Sequence, residues 1–137
     1  MKKVVITFIL VFCSMSVLAE EIKPFTSDGC SAFPDGNFDN KELWLDCCIA
    51  HDFAYWQGGT FGERRKADEA LNQCVSELGE GATGTLMYLG VRVGGSPYWP
   101  TSFRWGYGWP YPRGYKALTD KEKLHIKQVI ENSMPVK

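Results

Sequence analysis

The chain lacks a block of basic residues, any internal repeat or low-complexity stretch, and any paired C-x-x-C set. Histidine is scarce as well, with His51 and His125 the only two. Without a basic block, nucleic acid is not an expected partner, because phosphates call for clustered Lys and Arg. The missing C-x-x-C pairs weigh against zinc, which would have to use Cys47, His51 and one further ligand. One long apolar run exists, from Val4 to Leu18. It falls short of the roughly 20 residues that span a bilayer comfortably.

That run follows Met1-Lys2-Lys3 and ends in Val17-Leu18-Ala19 before Glu20-Glu21. A basic start, an apolar core and a small-residue end read as a secretory signal peptide over 1–19. The remainder, 20–137, has the length of one domain, and its expected location is secreted or periplasmic. Cys13 follows the bulky Phe12, where a lipid-modified cysteine would follow a small residue, so no lipid anchor is expected. Lys2 and Lys3 would leave with the leader, so 13 of the 15 basic side chains face 16 acids, a charge of −3. Net charge would therefore not draw the chain to an anionic membrane.

With Cys13 set aside, Cys30, Cys47, Cys48 and Cys74 remain, an even set in an exported chain, which favours disulfides. A bond between the neighbours Cys47 and Cys48 is strained inside a helix, which leaves two connectivities open.

Asp28 to Phe38 is loop-like, rich in Asp, Gly, Pro and Asn. Leu43 to Trp56 predicts a first helix, closed by Gly58-Gly59. A second runs from Phe61 or Gly62 to Leu78, with Ala67, Leu71, Cys74 and Leu78 on one apolar stripe. The short connection makes the two antiparallel. Thr85 to Val93 is apolar and Gly-interrupted and fits no single element. Ser96 to Tyr115 carries eight of the 19 aromatic residues. Its Gly and Pro content opposes a central strand and predicts an extended loop or a short edge hairpin. Thr119 and Glu122 form a capping box for a last helix to Ser133. The expected fold class is mainly α: two antiparallel, disulfide-linked central helices, a loop before them, an aromatic-rich irregular segment and a C-terminal helix.

Chemistry concentrates in Cys47-Cys48-Ile49-Ala50-His51-Asp52-Phe53-Ala54-Tyr55. Residues four apart share a helix face, so Cys47, His51 and Tyr55 form one stripe and Cys48 and Asp52 the next. His51 can exchange protons near neutral pH, and a carboxylate beside it can hold a cation. If Cys47 bonds Cys74, Ala54 faces Ala67 and Asp68 comes within a turn of His51. If Cys30 bonds Cys48, the Asp28 loop is drawn against Asp52, and hard oxygen ligands gathered there suit calcium. The competing uses are a packed His51, an Asp52 paired with Arg64 or Arg65, and a solvated Asp68 in the charged ERRKADE run. Asp35 reads as a turn former and His125 as structural.

The segment resembles the secreted phospholipase A2 superfamily, whose helix reads C-C-x-x-H-D-x-C-Y. Here Ala54 stands in place of the third cysteine. Asp68, six residues before Cys74, matches the family's second helix. TSDGCSAFPDG resembles the calcium loop of the bacterial and fungal branch more than the Gly-rich loop of the animal enzymes. The resemblance covers residues 26 to 75. It implies Cys30–Cys48 and Cys47–Cys74 bridges, with a further family bridge absent as a unit because positions 54 and 67 are both alanine. It implies calcium held by Asp28, the Gly29 carbonyl and Asp52. His51 would be the general base, Asp68 its orienting carboxylate and Tyr55 a support. A backbone N–H at Cys30 or Ser31 would receive the oxyanion.

The implied activity is calcium-dependent release of a fatty acid, at sn-2 by resemblance, from a glycerophospholipid at a membrane or vesicle surface. Tyr98, Trp99, Phe103, Trp105, Trp109 and Tyr111 are candidates for the lipid interface; the competing reading is that they cover the core. The alternatives to an enzyme are a non-catalytic calcium- or lipid-binding module and an exported protein-binding toxin or inhibitor.

Overall fold

The computed structural model describes residues 21–133. The expected leader over 1–19, with Cys13 in it, lies outside the described residues. The described chain is helical without strands: α1 Leu45–Gln57, α2 Phe61–Glu77, α3 Gly81–Gly94 and α4 Asp120–Ser133.

The first helix begins two residues later than its apolar pattern suggests. Trp44 has φ −120° and ψ 16°, outside the helical region. Its amide donates to Asp35 O at 3.0 Å and its indole to Pro34 O at 2.6 Å, so the preceding loop holds it. Gly58 ends α1 at φ 70°, where a side chain would be strained. Thr60 then opens α2 with a reciprocal capping box to Glu63, satisfying two orphan amides at once.

α2 packs against both α1 and α3. The bridge Cys47–Cys74 and the contacts His51–Asp68 and Tyr55–Arg64 step along the α1–α2 pair as antiparallel rungs. Ala54 and Ala67, both half-buried, fall between the last two rungs. The second bridge, Cys30–Cys48, ties the loop before α1 to that helix.

The buried stripe of α2 is Arg64, Asp68, Leu71 and Val75, which differs from the expected one. Leu78 lies past the helix end and is exposed. Two charged residues thus take the buried face, which is tolerable only because they bond each other's neighbours. The ambiguous 85–93 stretch belongs to α3. Its glycines do not break it, because α3 gains by packing on α2: Gly84 is buried, and a Cβ there would lie 2.8 Å from Asn72 O.

The aromatic segment forms turns, and its inner half closes the C-terminal end of α1. Gly106 N donates to Tyr55 O at 2.7 Å and Gly108 N to Trp56 O at 3.2 Å. The Trp109 and Trp105 indoles donate to Gln57 O at 2.7 Å and Gly59 O at 2.9 Å. Carbonyls that a helix end leaves orphaned are thereby satisfied. Trp109 joins Trp56, Ile22 and Ile126 of α4 in a second core beside the disulfide core of Trp44, Cys47, Cys48, Leu71, Val75 and Met87. The capping box of Thr119 and Glu122 starts α4.

Candidate functional site

His51 is buried and its Nε2 lies 2.8 Å from Asp68 Oδ1. Tyr55, one turn further along α1, donates its hydroxyl to the same oxygen at 2.7 Å. The other oxygen, Oδ2, takes Arg92 Nη1 from α3 at 2.6 Å. Asp68 is fully buried, and burial alone would raise its pKa. Donation from His51, Tyr55 and Arg92 outweighs burial and holds the carboxyl below its ordinary value. It is therefore an anion, and an anion at Oδ1 requires a donor on Nε2. The imidazole is left with its lone pair on Nδ1.

Burial and the Asp68 charge push the Tyr55 phenol far above its ordinary value, so it stays a donor. It accepts in turn from Arg64 Nε at 3.0 Å. Arg64 also donates to the Tyr115 hydroxyl and to the carbonyls of Val91 and Arg92. Gly95 lies over Tyr55 closely enough that a Cβ would sit 2.5 Å from the ring. The competing use of Asp52, a pairing with Arg64 or Arg65, does not form: Arg64 serves Tyr55, and Arg65 pairs with Glu69. Nor is Asp68 solvated.

His51 and Tyr55 line a cavity of about 370 Å³. Its other walls are mostly apolar, with Phe33, Leu71, Leu86, Met87, Val91 and Phe103 among them. Leu86 and Phe103 are also exposed, so they mark its mouth. Asp52 borders this cavity and a second one of about 180 Å³, lined by Thr26, Ser27, Asp28, Ser102, Phe103 and Tyr107 besides.

Asp52 and Asp28 sit within electrostatic reach. Burial first, and the negative charge of Asp28 as well, push the Asp52 carboxyl above its ordinary value. Ser27 Oγ donates to Asp52 Oδ2 at 2.6 Å and Ser31 Oγ to Asp28 Oδ1 at 2.9 Å. Among the described residues, no three His, Cys, Asp or Glu side chains gather as a metal cluster. The groups gathered here are two carboxylates and two hydroxyls, oxygen donors of the kind that hard cations take. Zinc through Cys47 is ruled out, since that sulfur is bonded to Cys74.

The loop's amides are unequally committed. Cys30 N–H donates to Asp35 Oδ1 at 2.8 Å, so Asp35 braces the loop. Ser31, at φ 54° on the cavity wall, has an N–H that no described residue accepts. Gly29 has φ 75° and its amide donates to Ser27 Oγ at 3.1 Å.

Of the six aromatic candidates, Trp105 and Trp109 are core residues, 2% and 1% exposed, which corrects their reading as lipid-facing. Their indoles are drawn inward by the carbonyls of Gly59 and Gln57. Tyr98, Trp99, Phe103 and Tyr111 are exposed. Sequence reasoning missed the roles of Arg64 and Arg92; the signal available for Arg92 was a charge inside the apolar 85–93 stretch with no acid within four residues of it. His125 lies on α4 and lines neither cavity. Compared with family models, curated proteins and solved structures, the chain matches none.

Proposed function

We propose that this protein hydrolyses the sn-2 carboxylic ester of a glycerophospholipid to a fatty acid and a lysophospholipid. One arrangement carries the reading: the His51–Asp68 pair at 2.8 Å on the wall of an apolar cavity whose edge holds Asp52. The likeness of residues 26–75 to secreted phospholipase A2 supports it.

His51 Nδ1 takes a proton from a water as that water's oxygen bonds the ester carbonyl carbon. Asp68 keeps Nε2–H in place and stabilises the imidazolium without taking its proton. The Ser31 N–H is a donor for the oxygen that gains charge. When the C–O bond breaks, the imidazolium returns the proton to the departing alkoxide. The Asp28 and Asp52 carboxylates and the Gly29 carbonyl are the groups to hold calcium, whose charge when bound supplies polarisation of the ester carbonyl. The apolar walls suit an acyl chain.

Such a substrate lives in aggregates. Leu86 and Phe103 are exposed at the mouth, α3 also exposes Leu89 and Val93, and Tyr98 and Trp99 are exposed as well. That apolar rim suits a phospholipid surface. Two disulfides agree with an exported protein. No helix among the described residues is long and apolar enough to cross a membrane. Vesicles with a labelled sn-2 acyl chain test the reading: calcium should permit release of labelled fatty acid and a chelator should stop it. Release of label only as intact lipid, with or without calcium, would refute it.

A further inference from the structure

Both oxygens of Asp68 are engaged, and they are engaged by different helices. Oδ1 serves His51 and Tyr55 of α1 at 2.8 and 2.7 Å, and Oδ2 serves Arg92 of α3 at 2.6 Å. Arg64, on α2 with Asp68, stays at 3.8 Å from Oδ2 and spends its guanidinium elsewhere. A carboxylate torsion is broad and close to two-fold, so a carboxylate pinned at one oxygen is free to swing. A short charge-assisted bond at the second oxygen removes that freedom.

Arg92 is itself held at both ends. Its guanidinium carbon lies 5.3 Å from the Phe61 ring centroid, and its carbonyl accepts Arg64 Nη2 at 2.8 Å. The neighbouring Val91, with Leu86 and Met87 of the same helix, forms a wall of the cavity. One guanidinium therefore joins the wall that would meet substrate to the carboxylate that orients His51.

We infer that Arg92 is a positioning residue for the His51–Asp68 pair: by locking Asp68 Oδ2 it keeps Oδ1 on His51 Nε2–H and fastens α3 to the pair. This rests on reading that pair as the proton-transfer site. It differs from a merely structural role, in which losing Arg92 lowers stability and leaves the tautomer of His51 unchanged.

With only two histidines, His51 and His125, nitrogen-15 NMR of the histidine-labelled protein reads the tautomer directly and carries His125 as an internal control. At pH 8 the wild type should show His51 as the Nε2–H tautomer alone. Arg92→Met should show both tautomers in exchange, and Arg92→Lys, which restores a cation to Oδ2, should regain Nε2–H. On dispersed diheptanoyl phosphatidylcholine, kcat of Arg92→Met should fall about 10–100-fold with KM changed less than about 2-fold, and Arg92→Lys should recover most of it. If circular dichroism shows Arg92→Met unfolded, Arg92→Gln takes its place in the same comparison. An unchanged Nε2–H tautomer in the neutral variant overturns the inference. A tautomer shift in a protein that hydrolyses no lipid keeps the positioning role and refutes the hydrolase reading alone.

Discussion

His51 of α1 and Asp68 of α2 meet through Nε2 and Oδ1 at 2.8 Å, one rung from the bridge between Cys47 and Cys74. The carboxylate they share with Tyr55, Arg64 and Arg92 is fully buried. Asp68→Asn leaves the buried Arg64 and the half-buried Arg92 without their anion, a loss of about 3 kcal/mol. Hydrolysis should fall on the order of 10³-fold or more, because an amide no longer dictates the tautomer of His51. Urea unfolding and kcat on the same preparation check both, and near-wild-type turnover would contradict the pairing.

Asp52 is the carboxylate with most to gain from a cation, since burial and the charge of Asp28 both work against its ionisation. Calcium should raise the melting temperature, by the equivalent of about 2.7 kcal/mol at a 100-fold excess over its Kd. Asp52→Asn should abolish that rise while leaving the chelated protein no less stable. A calcium-induced rise that survives in Asp52→Asn would place the ion elsewhere.

The aromatic segment divides into two classes. Trp109→Ala removes a side chain 1% exposed and should cost about 3–5 kcal/mol. Trp99 is 55% exposed, so Trp99→Ala should change stability by less than about 0.5 kcal/mol and weaken partitioning onto phosphatidylcholine vesicles. Thermal melts and vesicle sedimentation separate the two; equal vesicle binding by wild type and Trp99→Ala would remove Trp99 from the lipid surface.

Acid should loosen the start of α4. Burial works against ionisation of Glu122, yet the Thr119 amide, Arg113 and Lys116 outweigh it and hold the carboxyl down at about 2. A folded value below the unfolded one stabilises fully above the unfolded value, 4.5, and the gain is lost as pH falls toward about 2. Glu122→Gln should cost about 1 kcal/mol at pH 7 and flatten stability against pH in that window. Asp68, also held low, keeps part of the acid slope. An unchanged slope in Glu122→Gln would contradict the assignment.

Local signals in the chain were readable where they are strong. Thr119 and Glu122 announce α4, Gly58-Gly59 announces the turn between α1 and α2, and the spacing of His51 against Asp68 follows from helix geometry. What the chain hides depends on distant partners. ERRKADE reads as an ordinary charged helix face apart from Asp68, yet Arg64 within it is buried because Tyr55 and the carbonyls of Val91 and Arg92 satisfy it from other helices. Nothing local shows that Trp105 and Trp109 aim at the carbonyls of Gly59 and Gln57. The glycines of α3 read as breakers, and only the surface of α2 explains why Gly84 stays in a helix.

The central claim is that His51 activates water for ester hydrolysis beside a calcium-binding pair of carboxylates. Its most direct measurement is fatty-acid release from phospholipid vesicles by wild type and His51→Gln, each with calcium and with chelator. We expect release by wild type with calcium only, and a fall on the order of 10²–10⁴-fold in His51→Gln with its circular dichroism unchanged. Release by His51→Gln at the wild-type rate would contradict the account.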